Sequence, residues 1–449
     1  MKSRRSRRGP QRSPVANSSE IVSLDVKGYI HDGRGLAKHK GQAVFVSGAL
    51  DGEQVEAKWT HRQSRYSEAR TINVITPSPQ RVAPYCKHFG QCGGCQLQHA
   101  DSGTQLLIKH NAVLEQLTRA GVRAPSQQLK PIVMAPWHYR ARARLAVKFD
   151  KAGKLSFGFR RQADSQLVNI SECPVLPKTM QRLLQPLRSL LQKYDLKAVS
   201  HIELIQAEGE TGVVMRHTRP IKAHAQEALQ AFEREFQCKL WLSPDNQCLT
   251  TITGASTDPR LTLELECGAL KLAFHPLDFT QVNCEVNQAM VDQAMRLLAP
   301  SAAETVVDLF CGIGNFTLPL AKRAGRVVGV EAIASMVARG RENAVANKLD
   351  NVEFMACDLE QHSLKSLQKR IGNFAAVLLD PPRAGALEAC KQLPHTAAKR
   401  ILYVSCNPST LARDARSLTD AGFSLQSLGI MEMFPHTSHV ETMALFTRG

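Results

Sequence analysis

The stretch VVDLFCGIGNFTLPLA (residues 306–321) indicates the fold of the C-terminal part of the chain. An apolar strand, VVDLF, runs into a turn that contains Gly312 and Gly314, and the pattern predicts a helix over 316–323. Glycine in such a turn lets the backbone approach a bound ligand closely. The stretch therefore predicts a strand–turn–helix unit that lines a ligand crevice.

Strand-like and helix-like segments alternate from this unit to the C-terminus. The runs RVVGVE, VEFMACD, AAVLLD and RILYVSC have the composition of buried strands, and helices are predicted over 333–346, 385–392 and 409–421. This alternation is typical of a doubly wound parallel sheet. We therefore predict a Rossmann-like catalytic domain over residues 276–449.

Carboxylates stand at the ends of three of these strands. Glu331 ends RVVGVE, where it can accept both hydrogen bonds of a ribose diol, Asp358 is suited to an adenine amine, and Asp380 ends AAVLLD. A dinucleotide would require a third glycine for its pyrophosphate, but Phe316 stands there. The series favours S-adenosylmethionine over NAD as the cofactor.

The N-terminal region has a different pattern of apolar and polar residues. Residues 21–76 form short alternating runs separated by glycines, which predict a small all-β barrel. The phrase GYIHDGRGLAKHKGQAVFVSGALDGEQVEAK (28–58) resembles a TRAM domain, an OB-like RNA-binding barrel. We assign this barrel to residues 20–78, and residues 79–275, with mixed strands and helices, to a central α/β domain.

A cysteine cluster opens the central region. Cys86, Cys92 and Cys95 form the pattern C-x5-C-G-G-C, and Cys173 follows at a distance. Four thiolates are what a [4Fe–4S] cluster needs. Four cysteines also suit zinc, but the x5 spacing is unusual for a zinc knuckle. The pattern favours an iron–sulfur site in the central domain.

The composition points to a polyanionic partner. The formal net charge is +17, which favours binding to nucleic acid. Residues 1–19 carry six Lys or Arg and no acidic residue, which predicts a disordered basic tail. The tail could instead serve only to keep the protein soluble. The absence of an 18-residue apolar run or an apolar leader predicts a cytoplasmic protein without a membrane span. In that compartment the 12 cysteines are expected to be thiols, metal ligands or nucleophiles rather than disulfides.

Cys406 is the candidate nucleophile. RILYVSC delivers it to the carboxyl edge of the sheet, and Asn407-Pro408 is predicted to cap and open a helix whose N-terminus should lower the thiol pKa. A single intracellular cysteine is ordinarily a small buried hydrophobe, and the other cysteines outside the cluster keep that interpretation. A thiolate at this position could add to carbon 6 of a uracil and activate carbon 5 for methylation.

Glu441 is a candidate base for the proton on carbon 5, because it heads the last apolar run, VETMALF, although a solvated glutamate explains the position equally well. The sequence Asp380-Pro381-Pro382-Arg383 favours uracil over adenine, because a carboxylate can accept the N3–H of uracil.

Five motifs together resemble the RNA uracil-C5-methyltransferase family: FTQVN (279–283), DLFCGIGNFTLPLA (308–321), LLDPPRAG (378–385), YVSCNPSTLARD (403–414) and MFPHTSHVE (433–441). With the TRAM-like barrel and the four cysteines, the architecture resembles the iron–sulfur 23S rRNA uracil-5-methyltransferases from about residue 20 to the end.

The resemblance implies Cys406 as nucleophile and Glu441 as proton acceptor. It implies 23S ribosomal RNA as partner, no obligate protein partner, and S-adenosylmethionine and a [4Fe–4S] cluster as cofactors. The implied cofactor contacts are Gln281, Phe310, Asn315, Glu331, Asp358 and Asp380.

Three alternatives stay open at this point. A tRNA uridine could be the substrate, although family members that act on the tRNA T-loop look smaller and lack barrel and cluster. A radical methylthiotransferase would combine the same parts, but it requires C-x3-C-x2-C and an open cluster iron. A non-catalytic rRNA-binding protein is the third.

Overall fold

The computed structural model describes residues 20–245, 248–359 and 364–449. The predicted basic tail, residues 1–19, lies outside the described residues. The chain divides into two compact units, which are treated separately: the residues up to Ala83 with His99–Thr104, and Pro84–Gln98 with Gln105–Gly449.

The first unit is a closed five-stranded barrel, as the alternating runs predict. Its strands follow the order β1-β2-β3-β5-β4. Alternate residues such as Leu24 and Val26 point inward and pack around Val44, Val46 and Trp59, which gives the barrel its own core. The strands are β1 (Ile21–Tyr29), β2 (Gly35–His39), β3 (Gln42–Ser47), β4 (Gln54–Arg62) and β5 (Tyr66–Thr76).

A helix and a short strand precede the central sheet: α1 (Ser102–Arg119) and β6 (Gln127–Gln128). Val113 and Leu117 of α1 are buried in the same apolar cluster as the C-terminal sheet, and β6 pairs in parallel with a strand of that sheet. The core of the C-terminal sheet therefore includes a segment that the sequence analysis assigned to the central domain.

The central region is built on an eight-stranded sheet. Its order is β14-β13-β12-β11-β10-β7-β8-β9. One face packs on the helices, through residues such as Leu145, Phe157, Leu187 and Leu229. The elements are β7 (Arg142–Phe149), β8 (Leu155–Arg160), β9 (Leu167–Asn169), α2 (Lys178–Gln181), α3 (Leu184–Lys193), β10 (Val199–Gln206), β11 (Thr211–His217), α4 (Ala223–Phe236), β12 (Lys239–Ser243), β13 (Leu249–Thr250) and β14 (Ser256–Thr257).

A hairpin and a helix lead into the C-terminal sheet: β15 (Leu261–Leu265), β16 (Leu270–Phe274) and α5 (Cys284–Leu298). The elements that follow are β17 (Thr305–Leu309), α6 (Thr317–Ala321), β18 (Arg326–Glu331), α7 (Ala334–Ala346), β19 (Val352–Ala356), α8 (Leu364–Ile371), β20 (Ala376–Leu379), α9 (Leu387–Gln392), a 3-10 turn (Leu393–His395), β21 (Arg400–Ser405), α10 (Pro408–Asp420), β22 (Ser424–Met431) and β23 (Glu441–Thr447).

The C-terminal sheet has the order β19-β18-β17-β20-β21-β23-β22-β6. Its first five strands are parallel, as predicted, but β23 lies antiparallel to β21 and β22. The prediction of an all-parallel sheet was therefore wrong at this edge, because β22 and β23 form a hairpin without a crossover helix. The strand order reverses between β17 and β20, and ligands of such sheets bind at the carboxyl ends beside this switch point.

In the part of the chain that the structure describes, no helix combines the length and apolar character required to cross a bilayer.

Candidate active site

The glycine-rich turn after β17 and the end of β18 are joined by Glu331. Gly312 and Gly314 have φ angles of 56° and 106°, and a Cβ on Gly314 would lie 3.1 Å from the ring of Phe354. One carboxylate oxygen of Glu331 accepts the Gly312 N–H at 3.1 Å, and the other accepts the Ile333 N–H at 3.0 Å. A carboxylate offers about four lone-pair positions, so Glu331 can still accept hydrogen bonds from a diol.

Asn315 is held by a partner that sequence reasoning missed. The side-chain amides of Asn315 and Asn287 exchange two hydrogen bonds, each 2.9 Å long. Asn287 lies in the first turn of α5, where the side chain of Asn283 caps the helix by accepting the Val286 N–H. Gln281 lies just before this cap, so α5 links two of the predicted cofactor residues. The sequence signal that could have located Asn287 is Asn283, the last residue of FTQVN, because it is a helix-capping residue and predicts that a helix starts there.

Phe310 and Asp380 meet at the switch point. Leu309 pairs in parallel with Leu379, so Phe310 and Asp380 follow the same rung of the sheet. The Asp380 N–H donates to the Leu309 carbonyl at 3.4 Å. Burial raises the pKa of Asp380 to about 7. The neighbouring Asp308, which sequence reasoning did not single out, is fully buried, accepts a 2.6 Å hydrogen bond from Thr317, and has its pKa raised by burial to about 8.

Asp358 follows β19 by two residues, on the same edge of the sheet. The structure therefore brings Phe310, Glu331, Asp358 and Asp380 to the carboxyl ends of adjacent strands, as the sequence predicted. That edge suits an adenosine-type cofactor, since it combines a close backbone turn with several carboxylates.

Cys406 and Glu441 are brought together by strand register. Ser405 pairs with Thr442 in the last rung that β21 and β23 share, and Cys406 and Glu441 are the next residues beyond that rung. The two groups are close enough for Glu441 to raise the pKa of Cys406. A candidate nucleophile and a candidate base thus flank the same point of the crevice.

The environment of this pair shifts both pKa values upward. Burial raises the pKa of the Cys406 thiol, Glu441 raises it further, and Arg383 lowers it. Burial and then Asp380 raise the pKa of Glu441 to about 8, while Arg383 opposes them. Desolvation outweighs the lowering expected from the helix N-terminus, so the net shift of the thiol pKa is upward. Asn407 does cap α10, however, by accepting the Ser409 N–H at 3.1 Å.

Arg383 supplies a positive charge near Cys406 and Glu441. Its carbonyl accepts hydrogen bonds from Asn407 Nδ2 at 3.1 Å and Thr410 Oγ1 at 3.3 Å, which fixes the loop after β20 to the start of α10. Its guanidinium lies 3.1 Å from Nδ1 of His439. Arg383 therefore faces Cys406 and Glu441 with a positive charge, which favours the anionic forms of both.

The loop 432–440, which leads into Glu441, is anchored by α1. The buried Lys109 ammonium pairs with Glu432 and donates to the Phe434 carbonyl at 3.0 Å. The His436 N–H donates to Gln105 Oε1 at 2.9 Å. His436 has a φ of 67°, a conformation that a side chain adopts only when its surroundings impose it. Neither Lys109 nor Gln105 was singled out from the sequence.

The same loop contacts the cysteine segment. The His436 carbonyl accepts hydrogen bonds of 2.9 Å from the backbone amides of Gln96 and Leu97, directly after Cys95. The ring of Trp137 stacks on that of His436, with centroids 4.0 Å apart. The position of the cysteine segment is therefore coupled to the loop that carries the candidate base.

Cys86, Cys92, Cys95 and Cys173 line one cavity of about 90 Å³. Burial raises the pKa of Cys95 to about 11 and that of Cys173 to about 12. Gly93 is required by close packing, since a Cβ there would lie 3.1 Å from the Arg160 carbonyl. Among the described residues, no three Cys, His, Asp or Glu side chains are already arranged as a metal site. The structure thus gathers the four predicted ligands around one cavity but does not show a metal site.

Comparison with known proteins identifies the family to which the chain belongs. A model of the tRNA (uracil-5-)-methyltransferase family matches residues 104–449. The chain belongs to this family. The resemblance drawn from the five motifs is thus confirmed, and the chain is a uracil-5-methyltransferase rather than a radical methylthiotransferase or a non-catalytic RNA-binding protein.

Several full-length relatives share the name 23S rRNA (uracil(1939)-C(5))-methyltransferase RlmD. The protein from Alkalilimnicola ehrlichii is 42% identical over 96% of this chain and 97% of its own length. The protein from Pseudomonas syringae pv. tomato is 44% identical over 94% of this chain and 93% of its own. These family members extend the match into the N-terminal barrel.

The fold is shared with a solved structure, the tRNA (uracil-54, C5)-methyltransferase of Pyrococcus abyssi in complex with S-adenosyl-L-homocysteine. It superposes with a TM-score of 0.73 and covers 95% of this chain and 99% of its own, at 23% sequence identity. The likeness supports the architecture of barrel, central region and C-terminal sheet. The expectation that tRNA-acting family members are smaller and lack the barrel was wrong for this enzyme, because it matches almost the whole chain.

Proposed function

We propose that this chain methylates carbon 5 of a uridine in 23S rRNA, with S-adenosylmethionine as methyl donor. The observation that carries the chemistry is that Cys406 and Glu441 lie directly beyond the Ser405–Thr442 rung, at the carboxyl edge of the sheet. The choice of RNA rests on the relatives that are 42–44% identical over almost the whole chain and are named for 23S rRNA. The tRNA enzyme of Pyrococcus abyssi shares only 23% of its sequence with the chain.

Cys406 is proposed to act first. Its thiolate adds to carbon 6 of the uracil, and the electron pair of the 5,6 double bond moves toward the O4 oxygen, which makes carbon 5 nucleophilic. Arg383 favours the thiolate because its positive charge lowers the pKa of Cys406. The cofactor supplies the methyl group that carbon 5 takes.

Glu441 is proposed to finish the reaction. It takes the proton from carbon 5, the 5,6 double bond re-forms, and the Cys406 thiolate leaves carbon 6. Glu441 is buried, so its carboxylate is shielded from competing water. A pKa near 8 suits a group that must both accept and release a proton near neutral pH.

The cofactor site is proposed to comprise Gln281, Phe310, Asn315, Glu331, Asp358 and Asp380. Glu331 would accept the ribose hydroxyls, Asp358 the adenine amine, and Asn315 is held in place by Asn287. Asp380 is the residue proposed to accept the N3–H of uracil as well as to border the cofactor.

We also propose that Cys86, Cys92, Cys95 and Cys173 hold a [4Fe–4S] cluster. The donor set fits, because four thiols line one cavity and thiolates are the usual ligands of such clusters. A bound cluster would supply the positive charge that these buried thiols need in order to ionise. The barrel is proposed to be a TRAM-type RNA-binding domain and the region 79–275 a central domain between it and the catalytic domain of 276–449.

The direct test is methyl transfer to RNA transcribed in vitro. Purified, anaerobically prepared protein should transfer labelled methyl groups from S-adenosylmethionine to 23S rRNA, and mass spectrometry should find 5-methyluridine. Elongator tRNA transcripts are the matched alternative substrate. Labelling of tRNA in preference to 23S rRNA would overturn the choice of substrate.

A further inference from the structure

One face of α10 holds the loop that follows β20. Asn407, Thr410 and Asp414 are three and four residues apart, so their side chains share this face of the helix. Asn407 and Thr410 both donate to the Arg383 carbonyl. Asp414 lies one turn further along and is fully buried. A buried carboxylate is costly unless it is paired and hydrogen-bonded, so its partners indicate what it does.

Asp414 binds the loop through one carboxylate oxygen. Its Oδ2 accepts the Ala386 N–H at 2.7 Å and the Tyr403 hydroxyl at 2.7 Å. The Tyr403 oxygen also accepts the Ala386 N–H, at 3.2 Å, so the three groups form a closed network. Burial and the charge of Asp414 raise the pKa of Tyr403 above its usual range. The Tyr403 hydroxyl therefore stays protonated and remains a donor to Asp414.

Arg413 occupies the other carboxylate oxygen of Asp414. Its Nε donates to Asp414 Oδ1 at 2.8 Å, and its Nη2 lies 2.7 Å from the same oxygen. The Nη2 group also donates to the Ala384 carbonyl at 2.8 Å. The carboxylate thus orients the guanidinium so that it reaches a second residue of the loop.

Gly385 allows the loop to approach this closely. Its φ is 79°, and a Cβ on it would lie 2.5 Å from Asp414 Oδ2 and 2.7 Å from Arg413 Nη2. A carbon atom cannot come that close to either group, so the packing requires glycine at this position. Each of the four loop residues 383–386 is therefore in contact with a side chain of residues 407–414.

Arg383 is the residue through which this loop acts on the reaction. Its positive charge lowers the pKa of Cys406, whereas Glu441 and Asp380 raise it. Coulombic interactions weaken with distance, so a displaced Arg383 would leave the two carboxylates less opposed. Cys406 directly precedes α10, so the nucleophile and the loop of Arg383 depend on the same helix.

We propose that Asp414 is a positioning residue that holds the loop 383–386 on α10 and so fixes Arg383 near Cys406. This inference rests on the proposed function, in which Cys406 is the nucleophile. Asp414 acts through Arg383 rather than on the substrate. The helix that begins directly after the nucleophile therefore also sets the position of the charge that favours the thiolate.

The test measures the thiol pKa of Cys406 in the full-length protein without RNA. Alkylation of the Cys406 peptide by iodoacetamide is followed by mass spectrometry from pH 7 to pH 10, and the midpoint of the rate profile reports the pKa, because the thiolate is the reactive form. The variants are Asp414→Asn, Arg383→Gln and the double variant Asp414→Asn/Arg383→Gln. Tyr403→Phe is a milder variant, since it removes one donor to Asp414 and leaves the others.

Glu53→Gln is the matched control. Glu53 lies in the first compact unit, is buried, accepts the backbone N–H groups of Leu50 and Ser78, and pairs with Arg81. It therefore resembles Asp414 in burial and in its kinds of partner. Thermal melts establish which variants are folded.

We expect Asp414→Asn to move the Cys406 midpoint to higher pH by nearly as much as Arg383→Gln, because both changes take the positive charge away from the thiol. The direct loss of a negative charge at Asp414 would act in the opposite direction, so a rise reports the displacement of Arg383. The double variant should match Arg383→Gln alone, since no charge is left to displace. Tyr403→Phe should cause a smaller rise, and Glu53→Gln none.

Turnover should follow the midpoint. In Asp414→Asn, kcat should fall roughly 10–100-fold, whereas the affinity for S-adenosylmethionine should stay within about twofold. The misplaced group acts on the nucleophile, so the loss is expected in the chemical step.

Three results would overturn the inference: an unchanged or lower midpoint in folded Asp414→Asn, a further rise when Asp414→Asn is added to Arg383→Gln, or an equal rise in Glu53→Gln. If Asp414→Asn does not fold, the midpoint of Tyr403→Phe decides by the same criterion. If Cys406→Ala still methylates 23S rRNA, the proposed function fails, whereas the midpoints, measured without RNA, still decide whether Asp414 positions Arg383.

Discussion

Cys406 and Glu441 are the residues directly beyond the rung in which Ser405 of β21 pairs with Thr442 of β23. The two residues are 35 positions apart in the sequence, yet a single register determines their separation. Any shift of β23 by one residue would turn Glu441 to the other face of the sheet.

The first prediction concerns Cys406→Ala. Methyl transfer should be abolished, whereas the affinity for S-adenosylmethionine should change by less than about tenfold, because the thiol acts on the base rather than on the cofactor. Calorimetry and labelled methyl transfer measure the two quantities. Cys390→Ala, at a buried cysteine outside the crevice, is the control. Turnover at a substantial rate in Cys406→Ala would exclude the covalent mechanism.

Glu441→Gln should trap the reaction half-way. The thiolate can still add and carbon 5 can still take the methyl group, but the proton stays on carbon 5 and the thiolate cannot leave. A methylated RNA–protein adduct should appear as a slow band on a denaturing gel. The band should disappear in the double variant Cys406→Ala/Glu441→Gln. If Glu441→Gln alone turns over at a nearly normal rate, another group removes the proton from carbon 5.

The stability of the protein should fall as the pH rises from 6.5 to 8.5. Glu441 and Asp308 have folded pKa values raised to about 8, so the folded state binds more protons than the unfolded state above about pH 4.5. Unfolding free energy therefore decreases with pH until these groups are ionised. Urea unfolding of Glu441→Gln should show a shallower decline than the unaltered protein, and an identical slope would contradict the raised pKa of Glu441.

Cys173→Ser should remove the broad visible absorption expected of an iron–sulfur cluster, since one cubane iron loses its thiolate. Iron content, measured after anaerobic preparation, should fall with it. Cys248→Ser, at an exposed cysteine elsewhere in the central region, should leave both unchanged. Zinc without iron in the unaltered protein would show that the assignment is wrong.

Lys109→Met should destabilise the protein by about 3–5 kcal/mol, because Glu432 is left buried without its partner. Lys109→Met/Glu432→Leu should recover most of that loss, since both charges are then removed. The exposed pair Lys391 and Glu388 provides the control: Lys391→Met should cost less than about 1 kcal/mol. Urea unfolding measures all three variants, and equal losses at the two lysines would refute the anchoring role.

Local patterns allowed much of the fold to be predicted. The apolar runs predicted the barrel and the parallel strands β17 to β21, and Asn407-Pro408 predicted the start of α10. Strand ends predicted Glu331, Asp358 and Asp380 at one edge, because parallel strands place their carboxyl ends together.

Features that depend on long-range contacts could not be predicted. The antiparallel edge is set by the β22–β23 hairpin, and the pairing of Asn287 with Asn315 requires α5 to lie beside the turn after β17. The thiol pKa of Cys406 depends on burial, which a motif does not reveal. The sequence does not single out Lys109, because its buried partner Glu432 lies 323 residues away.

The contact of Lys109 with Glu432 spans 323 residues, and this separation bears on how the protein is made. A ribosome adds about 5–20 residues per second, so α1 emerges on the order of tens of seconds before the strands that cover Val113 and Leu117. During that interval the apolar side of α1 has no native partner, which exposes the nascent chain to misfolding and to capture by chaperones. The catalytic domain can therefore be completed only after translation reaches the final strand.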